Sequence, residues 1–73
     1  MMNEATIEFI ISRVIDNAKN TVEEAEQNKD DDFYKGKKLA YYEVLDTLKN
    51  ELAVREQDLK KYGLDIDLEK TFL

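Results

Sequence analysis

The chain has 73 residues, of which 38% are charged and 42% hydrophobic, and its net charge is −6. This length allows a single domain, and the apolar fraction is too high for a disordered chain. The acidic balance argues against a nucleic acid or an anionic membrane as the main partner. Cysteine and histidine are both absent from the sequence, which excludes disulfides, thiol chemistry and the usual transition-metal sites.

The composition also predicts long helices and a cytoplasmic location. Proline is absent and glycine occurs only at positions 36 and 63, so few residues interrupt a helix. No apolar run reaches the ~18 residues of a membrane span, and the N-terminal residues do not resemble a secretion signal. We therefore expect an all-α protein in the cytoplasm, organised as one domain over residues 1–73.

The first predicted helix runs from residue 3 to about residue 28. Asn3 is placed to cap it, and Glu4 puts an anion in the first turn, where the helix dipole favours one. Apolar or small residues then recur at alternating spacings of four and three, which predicts one apolar seam. The seam comprises Ile7, Ile11, Val14, Ala18, Thr21 and Ala25, and is widened by Ile15 and Val22.

A short connection leads into a second helix, which we expect over residues 31 to about 62. The three aspartates at positions 30–32 supply an N-cap and a negatively charged first turn. At 100° per residue, eight apolar residues of this helix lie within about 60° of one line. They are Tyr34, Tyr41, Val44, Leu45, Leu48, Leu52, Leu59 and Tyr62. Because short connections make neighbouring helices antiparallel, the two apolar stripes face each other.

Residues 63–73 are expected to form a short tail. Gly63 follows the last apolar position of the second helix, as the left-handed residue after a helix C-terminus does. The tail is rich in apolar residues, and we expect it to fold back over Phe9 and Ile10, which lie off the first seam. Asp65 or Asp67 is placed to cap one short helical turn. An extended tail is the alternative.

The stripes are about 100° wide, which is wider than a two-stranded seam needs. A lone hairpin would leave much of that surface wet, and a second helix of roughly 45 Å is too long for ten tail residues to cover. The sequence therefore predicts a homodimer of hairpins forming a four-helix bundle. The expected dimer interface comprises Ile7, Ile11, Val14, Ala18, Val22, Tyr41, Val44, Leu45, Leu48, Leu52 and Leu59.

One acidic pattern bears on chemistry. Glu23 and Glu26 are spaced three apart, and so are Glu43 and Asp46 further along. The pattern resembles the acidic signature of the all-helical nucleoside triphosphate pyrophosphohydrolases, whose additional glutamate corresponds here to Val22. The resemblance implies a Mg²⁺ site made of carboxylates from adjacent helices, since Mg²⁺ prefers hard oxygen ligands and bridges phosphates. On the predicted helices, however, these four side chains point away from the seams, as solvated surface acids do.

Leu39 and Tyr42 lie on the outer side of the second helix, about 180° and 120° from the apolar stripe. They are candidates for binding a partner protein, although single surface apolar residues are also common. We expect a non-enzymatic adaptor, regulator or inhibitor that needs no cofactor and acts by protein–protein contact, with a basic-faced protein as a possible partner. The alternatives are a Mg²⁺-dependent pyrophosphohydrolase and a structural subunit of a larger assembly.

Overall fold

The computed structural model describes residues 3–73, and in this range it contains three α-helices and one 3₁₀ turn. Helix α1 is Glu4–Gln27, α2 is Asp32–Val54, the 3₁₀ turn is Leu59–Tyr62, and α3 is Leu68–Phe72. Helices α1 and α2 pack together as a hairpin, and residues 59–73, the C-terminal segment, fold back against it. The described residues include no strand. The predicted all-α hairpin with a short tail is therefore confirmed.

Helix α1 begins where the sequence predicts. The Asn3 side chain accepts a hydrogen bond from the backbone N–H of Thr6 at 2.8 Å, which satisfies one of the free donors of the first turn. The buried residues of the helix are Ile11, Ile15, Ala18, Thr21 and Ala25. The Thr21 hydroxyl donates to the Asn17 carbonyl at 3.0 Å, so burying this polar group leaves no unpaired donor.

Helix α2 begins with the expected aspartate cap. Asp31 accepts a hydrogen bond from the backbone N–H of Phe33 at 2.9 Å. One turn and a half further on, the Lys37 ammonium lies 3.3 Å from a carboxylate oxygen of Glu24 on α1. This ion pair joins the two helices near their connection and sets their antiparallel register.

The predicted continuation of the second helix to Tyr62 is wrong, because α2 ends at Val54. Glu56 adopts a left-handed conformation, with φ of 57°. Its N–H donates to the Ala53 carbonyl at 3.0 Å, and the next N–H, that of Gln57, donates to the Leu52 carbonyl at 2.9 Å. These two bonds form a Schellman motif, which normally uses glycine at the left-handed position. The sequence therefore carried no glycine to signal this helix end.

The position of the break follows from packing. Lys37 of α2 lies beside Glu24 of α1, so in an antiparallel hairpin α2 is level with the start of α1 at about residue 57. A helix continued to Tyr62 would have extended past α1 and left Leu59 and Tyr62 in water. Residues 55–58 are all polar, so no burial is lost when the chain turns there. The Asp58 side chain then accepts from the Lys60 N–H at 3.1 Å and starts the 3₁₀ turn.

The C-terminal segment uses the two turn residues that the sequence indicates. Gly63 is left-handed, with φ of 75°, and the N–H of Leu64 donates to the Leu59 carbonyl at 2.9 Å, so a Schellman motif ends the 3₁₀ turn as well. Asp67 caps α3 by accepting from the Lys70 N–H at 3.2 Å. The expected short helix in the tail is therefore confirmed, with Asp67 rather than Asp65 as its cap.

The C-terminal segment supplies half of the residues of the core cluster. Its buried residues join those of α1 and α2 in one cluster, made of Ile11, Ile15, Ala18, Leu45, Tyr62, Leu64, Leu68 and Phe72. Phe72, Leu64 and Leu45 are completely inaccessible to solvent. Polar contacts add to this packing, because the Lys49 ammonium donates to the Ile66 carbonyl at 2.6 Å. The segment is thus an integral part of the fold.

The expectation that the tail covers Phe9 and Ile10 is wrong, because these side chains remain 64% and 44% exposed. The segment instead crosses α1 at Ile15, where a Cβ atom added to Gly63 would lie 3.4 Å from the Ile15 Cδ1 atom. At 100° per residue, Phe9 and Ile10 point about 120° and 140° away from Ile15. They therefore lie on other sides of the helix.

An ion pair ties the 3₁₀ turn to the start of α1. The Lys61 ammonium is 2.5 Å from a carboxylate oxygen of Glu4. The hydrogen bond from Lys61 holds the pKa of Glu4 below its ordinary value, and the hydrogen bond to Glu4 raises the pKa of Lys61 above its own. The pair therefore stabilises the fold only while Glu4 is ionised and Lys61 is protonated.

We predict that Phe72→Ala destabilises the protein by about 3–5 kcal/mol, because it removes a fully buried ring and leaves a cavity. Equilibrium urea unfolding followed by circular dichroism measures the change in the free energy of unfolding. A variant that is already largely unfolded without urea also agrees with the prediction. Leu73→Ala is the matched control, since this neighbouring side chain is mostly exposed. Equal losses in both variants would contradict the packing of α3 described here.

We predict that Glu4→Gln and Lys61→Met are energetically coupled in a double-mutant cycle at pH 7. The coupling should disappear as the pH falls through the lowered pKa of Glu4, because protonation removes the attraction that the folded state gains. Thermal unfolding of the four proteins across an acid pH series measures it. Lys60→Met is the control, because it removes a neighbouring charge and leaves the pair intact. A coupling that persists in strong acid would exclude an ionic origin.

Candidate interaction surface

The α1–α2 hairpin has two sides, and the C-terminal segment covers one of them. Along α2, residues 67–69 lie beside Tyr42, Asp46 and Lys49. Along α1, the 3₁₀ turn and Gly63 lie beside Ser12 and Ile15. The buried residues of the segment close the core on this side, namely Tyr62, Leu64, Leu68 and Phe72.

The Lys37–Glu24 ion pair marks the opposite side of the hairpin. Val44 lies seven residues, or two helical turns, after Lys37, and Ile10 lies two heptads before Glu24, so both point to this side. Tyr42, which meets the C-terminal segment, is only two residues from Val44 and therefore points about 160° away from it.

Apolar side chains are concentrated on this second side, which we call the uncovered face. It is made of Ile10 and Val14 of α1 and Phe33, Ala40, Tyr41, Val44 and Leu48 of α2. Phe33 is 66% exposed and Val44 is 50% exposed, although both belong to types that are usually buried. No described residue of the C-terminal segment is among the residues that line this side.

The middle of the uncovered face is a shallow depression of about 300 Å³, lined by Lys37, Ala40, Tyr41 and Val44. Ala40 contributes to it, because its side chain is only a methyl group, and Gly36, one turn earlier on α2, has no heavy atom within 4 Å of the position of an added Cβ. Another helix could therefore approach α2 closely at this point.

The overall dimensions agree with an incompletely covered hairpin. The accessible surface is 5336 Å², whereas a folded monomer of 8.6 kDa is expected to expose about 4,700 Å². The radius of gyration is 13.1 Å, compared with about 11.2 Å for a compact domain of this length. The chain is 40 Å long and only 20 × 17 Å across. More surface remains exposed than its size requires.

The residues predicted for the dimer interface divide into three groups. Ile11, Ala18 and Leu45 are buried in the core of the single chain, which leaves their side chains little surface to offer to a second copy. Val44 is exposed. The remaining residues are partly buried against the core, namely Ile7, Val14, Val22, Tyr41, Leu48, Leu52 and Leu59. The C-terminal segment causes the difference, because it occupies the centre of the stripe that the sequence assigns to a partner.

The two predicted partner-binding residues also separate. Leu39 is exposed on the outer side of α2, as expected. Tyr42 is partly buried and packs against the core, so its expected exposure is wrong, because α3 lies over it. Burial raises the pKa of the Tyr42 hydroxyl above its ordinary value, and the neighbouring carboxylates of Asp46, Glu69 and Asp67 add to the effect.

The four acids of the predicted metal pattern do not converge within one chain. Glu23, Glu26 and Glu43 are exposed, and Asp46 is partly buried. Glu26 lies 3.8 Å from Lys29, and Asp46 accepts a hydrogen bond from Asn50 at 3.3 Å. Within residues 3–73, no group of three or more acidic side chains is arranged to hold a metal ion. The spacing in the sequence thus places these acids along helix surfaces.

The predicted interface also missed residues. Phe33, Ala40 and Ile10 belong to the uncovered face, and two charged residues, Lys37 and Glu51, lie at equal distances along α2 on either side of Val44. A signal was present in the sequence, since positions 37, 44 and 51 are spaced by seven and so share one side of a helix. The predicted stripe is centred on Leu48, about 40° from Val44, and therefore leaves out Lys37 and Glu51.

No protein-family model, curated protein or solved structure matches this chain. Among the helices formed by residues 3–73, none combines the length and the apolar character that crossing a lipid bilayer requires. Function is therefore inferred from the geometry and chemistry of this chain.

We predict that Tyr42 titrates above the ordinary tyrosine pKa of 10.0. The wild type and Tyr42→Phe are titrated with alkali while phenolate absorbance is recorded. The difference between the two titrations is the titration curve of Tyr42. Because the folded-state pKa is raised, the stability that Tyr42 contributes is complete below pH 10 and is lost as the pH rises. The same difference curve in 8 M urea is the control, and should return to the ordinary value. A midpoint unchanged by urea would mean that α3 does not cover Tyr42.

Proposed function

We propose that this chain is a small non-enzymatic protein of the cytoplasm that acts by protein–protein contact, and that it does so as a homodimer joined through the uncovered face. The observation that supports the proposal is the asymmetry of the hairpin. One apolar side is closed by the C-terminal segment, whereas the other presents Phe33, Val44 and Ile10 to solvent. Exposed apolar patches of this kind mark binding surfaces on soluble proteins.

The area of the face suits a stable dimer. A side of the hairpin measuring 40 × 20 Å corresponds to at most about 800 Å², which is what each partner contributes to an interface of standard size. Two hairpins joined in this way make a four-helix bundle with an isologous interface, in which the same patch of both copies is buried. The C-terminal segments then lie on the two outer sides of the bundle.

The outer surfaces of such a dimer carry the contacts with other proteins. With a net charge of −6 per chain, the dimer favours a partner with a basic face, and salt screens that attraction. Leu39 and Phe9 are exposed outside the uncovered face and supply apolar contacts to such a partner. The roles that fit this surface are those of an adaptor, a regulator or an inhibitor. Binding to a basic partner that does not weaken across a salt titration would contradict the charge component.

We predict that the wild-type protein sediments with a mass near twice the 8.6 kDa of the chain, and that Val44→Glu sediments as a monomer, since the substitution buries a charge at the centre of the interface. Sedimentation equilibrium across a concentration series measures both. Leu39→Glu is the matched control and should remain dimeric, because it adds the same charge to the outer side of the same helix.

A wild-type protein that stays monomeric at every concentration would overturn the homodimer. The uncovered face would then be the site of a different protein. Hydrolysis of a nucleoside triphosphate in the presence of Mg²⁺, abolished by Glu43→Gln, would overturn the non-enzymatic function.

A further inference from the structure

Helix α2 has a charge pattern that selects one arrangement of two copies. We propose that the two α2 helices pack antiparallel about a two-fold axis at Val44, and that Lys37 of each copy pairs with Glu51 of the other. This inference rests on the homodimer proposed above and specifies its geometry.

Exposed apolar residues of α2 share the direction of Val44. Phe33 lies eleven residues before Val44 and within about 20° of its direction, and both side chains are strongly exposed. A two-fold axis at Val44 brings each residue opposite the one that lies equally far from Val44 in the other direction. The two Val44 side chains therefore meet each other, and each Phe33 ring lies level with Arg55 of the second copy, at the end of its α2.

The charges follow the same symmetry. Lys37 lies seven residues before Val44 and Glu51 seven residues after it, which is about 10.5 Å along the helix in each direction. Because seven residues make two turns, all three side chains share one side of α2. Every other charged residue between positions 32 and 54 lies more than about 80° from the direction of Val44. The uncovered side of α2 thus carries one cation and one anion, placed symmetrically.

This placement favours the antiparallel arrangement over the parallel one. In the antiparallel dimer both lysines face a glutamate of the other copy. In a parallel dimer Lys37 would face Lys37 and Glu51 would face Glu51, and like charges in contact across an interface oppose association. Charge complementarity therefore identifies a second copy of the same chain as the occupant of the face and sets its orientation.

The packing is complementary as well. Ala40 lies four residues before Val44 and Leu48 four residues after it, so the Leu48 side chain of the second copy faces the depression at Ala40. A large side chain thus meets a small one, twice in each dimer, as interdigitating helices require.

The existing ion pairs extend into a network across the interface. Lys37 already lies 3.3 Å from Glu24, and Glu51 lies 2.5 Å from Arg55. An ammonium group has three donors, so Lys37 can hold Glu24 and Glu51 of the second copy together. Charges then alternate in sign from Glu24 through Lys37 and Glu51 to Arg55, which is the arrangement in which ion pairs reinforce one another.

Charge reversal tests this arrangement. Lys37→Glu and Glu51→Lys each convert two attractive contacts of the dimer into two repulsive ones, and each should raise the dimer dissociation constant about tenfold or more at low salt. An equimolar mixture of the two variants should associate with nearly wild-type affinity, because both contacts in the mixed dimer are again between opposite charges. Sedimentation equilibrium of each variant and of the mixture gives these constants.

Lys35→Glu is the matched control, because it reverses a lysine of α2 that points away from the face, and its dissociation constant should stay within about threefold of the wild type. Recovery in the mixture also shows that both variants are folded. A wild-type dimer whose affinity is unchanged by either reversal, with no preference for mixed dimers, would overturn the antiparallel register while leaving the homodimer intact. A monomeric wild type would overturn the homodimer itself.

A cross-link gives a second test that does not depend on charge. The described chain contains no cysteine, so Val44→Cys introduces a single thiol at the two-fold axis, where the two backbones are close enough for a disulfide. Oxidised glutathione should convert this variant into a covalent dimer, whereas Leu39→Cys should remain uncross-linked under the same conditions. Equal cross-linking of the two variants would place the axis elsewhere and contradict the proposal.

Discussion

The C-terminal segment is long enough to cover only one side of the α1–α2 hairpin, and the other features of the molecule depend on this constraint. Two packed helices leave apolar surface on both sides of the seam, and fifteen residues remain to cover it. They bury Leu64, Leu68 and Phe72 on one side. Ordering the segment costs conformational entropy, and the burial of these nearly inaccessible side chains offsets that cost. The opposite side retains its apolar residues and becomes the candidate interaction surface.

The break after α2 makes this arrangement possible. Had α2 continued to Tyr62, the tail would have started roughly 10 Å beyond the end of α1, and part of its length would have been needed to return to the hairpin. The left-handed residue Glu56 costs about 1–2 kcal/mol relative to a helical conformation. Burial of Tyr62 and Leu64 on the returning chain offsets that cost. A local strain is thus compensated by a tertiary contact, which is why local sequence signals did not reveal it.

The charged residues also fall into two groups. Most of the acidic side chains lie on the outer surfaces and give the chain its net charge of −6. Two ion pairs join different elements: Lys37 of α2 pairs with Glu24 of α1, and Lys61 of the 3₁₀ turn pairs with Glu4. Isolated surface ion pairs contribute little energy. Their main effect here is to select one arrangement among several of similar hydrophobic burial.

The sequence by itself determined the helical class, the position of the connection, and the cap at Asn3, because spacing and capping are local properties of the chain. It also placed Val44 on an apolar stripe. The sequence pattern does not distinguish the residues of that stripe that are buried in the core from those that stay exposed. Only the tertiary structure decided that Leu45 lies in the core and Val44, its neighbour, lies in solvent. The physical reason is that both residues have the same local pattern, and a distant segment packed against one side of the helix and left the other free.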